Sequence, residues 1–159
     1  MRKMTLLLSG LAISASLLAA VTEQLLNVRT GLWQVDMTAN YGGLPPQMQA
    51  MLTGMGGTKT YKTCVDRKQL STPWVQGDDK CTWTVLKSTS SELDAHGTSC
   101  QLGKDLGLST EEDIKVHAVD PEHVRATVHG TATGNGINAT LDGNFTGKWL
   151  SETCPADMN

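Results

Sequence analysis

The sequence predicts an all-β domain: an antiparallel curved sheet or small open barrel of about seven strands, stapled by disulfides. Three observations carry this. Stretches such as Gly31–Tyr41 and Ile137–Trp149 alternate apolar and polar residues, the mark of a strand buried on one face. Asp120-Pro121-Glu122 and Gly134-Asn135-Gly136 are tight-turn sequences placed between such stretches. The chain has four cysteines, all beyond its apolar N-terminal run.

The first residues read as an address rather than as fold. Met1-Arg2-Lys3 is positive, Met4–Ala20 is uncharged and rich in Leu and Ala, and polarity returns at Thr22-Glu23-Gln24. That is the grammar of a secretory signal peptide over residues 1–20. Cutting after Ala20 leaves Leu18 at the minus-three position, where a small residue is usual. An uncleaved membrane anchor is therefore the competing reading. A leader over residues 21–29, one β-rich domain over 30–154 and a tail over 155–159 complete the division. About 135–140 residues remain after cleavage, enough for one modest core.

Trp33, Val35, Met37, Ala39 and Tyr41 share one face of the first strand. Gly42–Gly57 is a loop, because Pro45-Pro46 cannot lie in a ladder. Thr58–Val65 reads as an edge strand and Asp66–Leu70 as a helical turn ended by Ser71-Thr72-Pro73. Trp74-Val75 returns to the core before a Gly77-Asp78-Asp79 turn.

Cys81–Cys100 then reads as a hairpin around Ser88-Thr89-Ser90-Ser91. If Cys81 faces Cys100, Trp83 opposes Thr98 and Val85 opposes His96, which turns His96 inward. Leu93 and Ala95 then fall on the wrong face. A one-residue slip aligns the apolar sets but separates the cysteines, and a bulge near Gly97 would reconcile both. Ser109–Glu112 resembles a helix cap, but the alternation beyond it favours a turn. Glu112–Val119 and His123–Gly130 form the clearest hairpin, with Ile114, Val116 and Ala118 matched to Val124, Ala126 and Val128. In the last strand Ile137, Ala139, Leu141, Phe145 and Trp149 point inward, with Gly143 and Gly147 among them.

An even cysteine count in an exported chain points to disulfides. Cys81–Cys100 with Cys64–Cys154 is one pairing, and Cys64–Cys81 with Cys100–Cys154 stays open beside it. A zinc tetrad would show a close C-x-x-C pair, and the sequence has none.

Thirteen basic residues are scattered against sixteen acidic ones, so nothing marks a nucleic-acid surface. No G-x-S-x-G elbow occurs, and Gly56-Gly57-Thr58-Lys59-Thr60 lacks the glycine spacing of a phosphate loop. The expectation is a protein that is not an enzyme, with no catalytic residue, no cofactor and no metal site. His117, His123 and His129 share the polar face of their hairpin with Lys115 and Arg125, whose charge disfavours a metal. The candidate ligand-binding set is Trp33, Trp83 and Trp149 with His96, under a lid carrying Met48, Met51 and Met55. The ligand would be small and apolar. An envelope structural or protein-interaction domain is the alternative, and monovalent copper held by the methionine thioethers is a second. The implied partners are a small hydrophobic ligand or another envelope protein, without nucleic acid and without a stable membrane span after cleavage. The implied place is the bacterial periplasm or the exterior.

Gly31-Leu32-Trp33, the Gly/Pro/Met-rich stretch at 42–57, Cys64, Cys81, Cys100, and Gly143-Asn144-Phe145-Thr146-Gly147-Lys148-Trp149 ahead of Cys154 carry a family likeness. Over roughly residues 30–154 the chain resembles the bacterial exported domain-of-unknown-function family 3617. It departs at Thr30, where a proline often stands, and at Glu152-Thr153, where Gly-Asp is frequent. The resemblance implies a small periplasmic β-rich protein and supplies no catalytic residues.

Overall fold

The computed structural model describes residues 24–46, 57–74, 81–100 and 107–156. The signal peptide, Met48, Met51 and Met55, Val75 with the turn after it, and residues 157–159 lie outside these.

Seven strands form one antiparallel sheet: β1 Gly31–Gly42, β2 Gly57–Val65, β3 Thr82–Ser88, β4 Glu92–Thr98, β5 Ser109–Asp120, β6 His123–Gly134 and β7 Ile137–Ser151. Their order across the sheet is β2-β1-β7-β6-β5-β4-β3. The sheet stays open, with β2 and β3 as its edges. Period-two patterning sets its two faces. Ile114 pairs with Val128 and Val116 with Ala126 across β5 and β6, and all four are buried on the inner face. The β6–β7 turn places Asn135 at φ 51° and Gly136 at φ 76°, the paired positive dihedrals of a two-residue hairpin. On β7, Gly147 leaves room for its neighbour. A Cβ there would stand 2.5 Å from Val124 Cγ2.

Asp66 starts the single turn of 3₁₀ helix at Lys68–Ser71 by accepting from the N–H groups of Lys68 (2.7 Å) and Gln69 (3.0 Å). That turn buries Leu70, and the chain then brings Trp74 against Trp33 with ring centroids 5.3 Å apart.

Three expectations are corrected. The described part of the expected leader, residues 24–29, packs as part of the fold. Leu26 and Val28 are 2% and 9% exposed. The N–H groups of Leu26, Asn27 and Arg29 donate to the carbonyls of Leu70 (3.2 Å), Ser90 (2.8 Å) and Pro121 (2.9 Å). Residues 24–30 thus form a strap across one end of the sheet, tying the 3₁₀ turn to the β3–β4 and β5–β6 turns. The second correction is Ser109–Glu112, which opens β5 rather than forming a turn.

The third is the register of the central hairpin. Trp83 pairs with Gly97 and Val85 with Ala95, so β3 and β4 turn their apolar sets to the same face. His96 therefore points outward. The irregularity falls between Val85 and Lys87, not near Gly97. The cysteines still meet because both lie beyond the last paired residues, where Ser99 at φ 55° swings the chain. The hydrophobic pattern decided the register. Facing cysteines within the ladder would have turned out Leu93 and Ala95, which are 0% and 1% exposed. The bridges are Cys64–Cys154 and Cys81–Cys100.

Candidate functional site

The strap borders a cleft of about 740 Å³. Leu25, Leu26, Leu70 and Trp149 supply its apolar wall, while Arg29, Arg67 and Glu152 supply charge. Each side chain is placed by a backbone feature already given. Leu25 and Leu26 ride on the strap, Leu70 on the 3₁₀ turn, and Trp149 near the end of β7. Trp149 donates its indole N–H to the Thr30 carbonyl at 3.0 Å, and the Arg29 guanidinium lies over its ring at 4.7 Å. Arg29 also reaches Glu122 at 3.3 Å. The cleft therefore combines apolar side chains with two guanidinium groups and one carboxylate.

The aromatic set predicted from sequence does not converge on one chamber. Trp33 and Trp149 are cross-strand neighbours on β1 and β7. Trp33 has no exposed surface and donates to the Arg29 carbonyl at 2.9 Å, so it packs the core and fastens the strap. Trp83 stands at the other end of the sheet, in the row that runs through Gly97, Glu112, Gly130 and Leu141. Of the predicted set, Trp149 alone lines the cleft. The methionine lid lies outside the described residues.

The outer face holds a row that the sequence reading did not assemble. Register aligns His96, Asp113, His129 and Asp142 across β4, β5, β6 and β7. His96 Nδ1 meets Asp113 Oδ1 at 2.8 Å and His129 Nδ1 meets Asp142 Oδ1 at 2.7 Å. His123 likewise pairs with Asp120 at 2.9 Å, and His117 faces Glu92 in register. Each histidine of the chain is thus set beside a carboxylate on the solvent side. The Lys87 ammonium bonds to Glu92, which holds that carboxyl below the usual carboxylate range. Asp120 is held low as well, first by the Glu122 N–H it accepts and then by His123.

Among the described residues, three potential metal-ligating side chains converge elsewhere. Ligand atoms of Cys81, Cys100 and Glu112 all lie within 4.8 Å of one another, on the inner side of the sheet. Glu112 is 9% exposed. The signal for it was available: Glu112 shares parity with Ile114 and Val116, so alternation alone puts it inside.

No helix among the described residues is long and apolar enough to cross a membrane. No curated protein and no solved structure matches the chain. A family model for proteins of unknown function, DUF3617, matches residues 28–154, beginning within the strap and ending at the cysteine that closes the first bridge. The chain belongs to that family.

Proposed function

We propose that this is a non-catalytic binding module of the bacterial periplasm that holds a small amphiphile, an acyl chain with an anionic head, in the strap cleft. The observation that carries this reading is the cleft itself: Leu25, Leu26, Leu70 and Trp149 against Arg29 and Arg67. Its volume falls in the range of small-ligand sites, which are apolar with a few placed polar groups. Trp149 offers a flat apolar surface, and a guanidinium matches a carboxylate head through paired donors. Two disulfides and the N-terminal grammar favour export.

Titration with dodecanoate tests the reading, with tryptophan fluorescence as the readout and native mass spectrometry for retained ligand. Saturable one-to-one binding is expected, weakened about tenfold or more by Arg67→Ala. Absence of saturation, or equal affinity in Arg67→Ala and Trp149→Phe, would defeat it. A second reading, an envelope protein-interaction domain, is favoured by Leu86, which is 67% exposed on edge strand β3. Capture of a periplasmic partner that is lost in Leu86→Glu would support that role, and capture unaffected by it would not.

A further inference from the structure

The Cys81–Cys100 bridge has an unusual neighbour. Glu112 is buried in an inner row of Trp83, Gly97, Gly130 and Leu141, and its carboxylate lies within 4.8 Å of the cysteine sulfurs. Cys100 is 0% exposed, while Cys81 is only half-buried and opens the site to solvent. The carboxylate of a nine-tenths-buried glutamate and two cysteine sulfurs make up a donor set of the kind that holds a borderline-soft dication.

The geometry points to a redox-gated metal site: when Cys81–Cys100 is reduced, its two thiolates and the Glu112 carboxylate bind one zinc-like divalent ion. The step balances with a dithiol as reductant. Two electrons pass to the S–S bond, which breaks. The dithiol closes to its own disulfide, and its two protons end on Cys81 and Cys100. The incoming ion displaces those protons to water and takes both thiolates and the carboxylate, with water in the fourth position.

Distances allow it. Around a tetrahedral zinc with Zn–S of about 2.3 Å, neighbouring ligand atoms stand roughly 3.6–3.8 Å apart. The sulfurs need only separate to that distance, and the carboxylate needs to close by about 1 Å. Charge favours it too. Two thiolates and a carboxylate this close would repel one another, and a dication removes the conflict. Sulfur ligands select a borderline-soft ion over magnesium or calcium. The ion would close the same loop that the disulfide closes, so the hairpin end stays fastened in either redox state. This site shares no residue with the cleft and stands or falls without it.

The experiment uses the full mature chain, held reduced by excess phosphine without air, and titrated with cadmium as an optical probe and then with zinc. A sulfur-to-cadmium charge-transfer band saturating at one ion per chain is expected. Cys81→Ser should abolish it. Glu112→Gln should weaken zinc binding at least tenfold, while the exposed neighbour Glu111→Gln and the pair Cys64→Ser/Cys154→Ser should leave it unchanged. Zinc should also raise the melting temperature of the reduced chain, and the oxidised chain should show neither effect. No band, a band lost with Cys64 and Cys154, equal affinity in Glu112→Gln, or no thermal shift would each overturn the assignment.

Discussion

Leu26→Ala tests whether the segment before β1 is structure or leader. Leu26 is 2% exposed and belongs to the central hydrophobic cluster with Trp33, Leu70 and Trp74. Truncation removes its methyl-bearing branch but no hydrogen bond, because the strap is held through its backbone. The loss is therefore transfer plus cavity, about 2–5 kcal/mol for a buried Leu→Ala. A value near 3 kcal/mol is expected, since the adjoining cleft lets neighbours relax partway. That is a large share of a total on the order of 5–15 kcal/mol. For a domain of this size it corresponds to a drop of about 10 °C in melting temperature. Urea unfolding followed by tryptophan fluorescence reads it directly, because the Trp33–Trp74 contact lies beneath the strap. Leu86→Ala is the control and should stay within about 0.5 kcal/mol, as exposed positions do. A loss in Leu26→Ala below about 1 kcal/mol would mean that the strap does not fold with the sheet, and the cleft would lose its wall.

Gly147→Ala should destabilise by about 1–3 kcal/mol in the same assay, because its Cβ would meet the branched Val124 side chain at 2.5 Å; an unchanged midpoint would contradict the close approach. Removing Cys64–Cys154 by paired serine substitution should cost about 4–5 kcal/mol, and removing Cys81–Cys100 about 3 kcal/mol. The order follows the sequence separations of 90 and 19, and calorimetry finding the reverse order would refute the loop argument. Asp120 is held below its ordinary value of 3.8, so its stabilisation is present above that value and lost as pH falls through the lower folded one. Asp120→Asn should therefore lower stability at neutral pH and flatten its fall in acid, and parallel melting curves from pH 7 to about 2 would exclude this role.

Alternation made most of the sheet readable. The β5–β6 and β6–β7 hairpins follow from it with their faces correct, because one wet side and one dry side leave a period of two in the residues. The central hairpin misled where two signals disagreed. Cysteine pairing and apolar parity ask for registers one residue apart, and only the folded chain shows that Ser99 turns the backbone beyond the ladder. The strap was hidden for another reason. Leu26 and Val28 stand between an apolar export signal and the first strand, so they were read as a leader outside the domain. The cleft was unreadable because its walls come from four separate parts of the chain. The His96–Asp113–His129–Asp142 row needed inter-strand register, which a single sequence does not carry.

Both bridges fasten an edge of the sheet. β2 pairs only with β1, and β3 only with β4, so each has a ladder on one side alone. Such strands open first, because fewer hydrogen bonds and contacts are lost when they lift away. Cys64 lies in β2 and joins Cys154, just past β7, on the far side of β1. Cys81 directly precedes β3 and joins Cys100, just past β4. Each cross-link thus removes an opening that would otherwise cost least. Exposed Lys59 and Lys62 on β2 and Lys87 on β3 guard the same two edges against pairing with other chains. The interior strands β1, β7, β6, β5 and β4 have neighbours on both sides and carry no cysteine. An open sheet has two weak margins, and the four cysteines are spent one bridge to each.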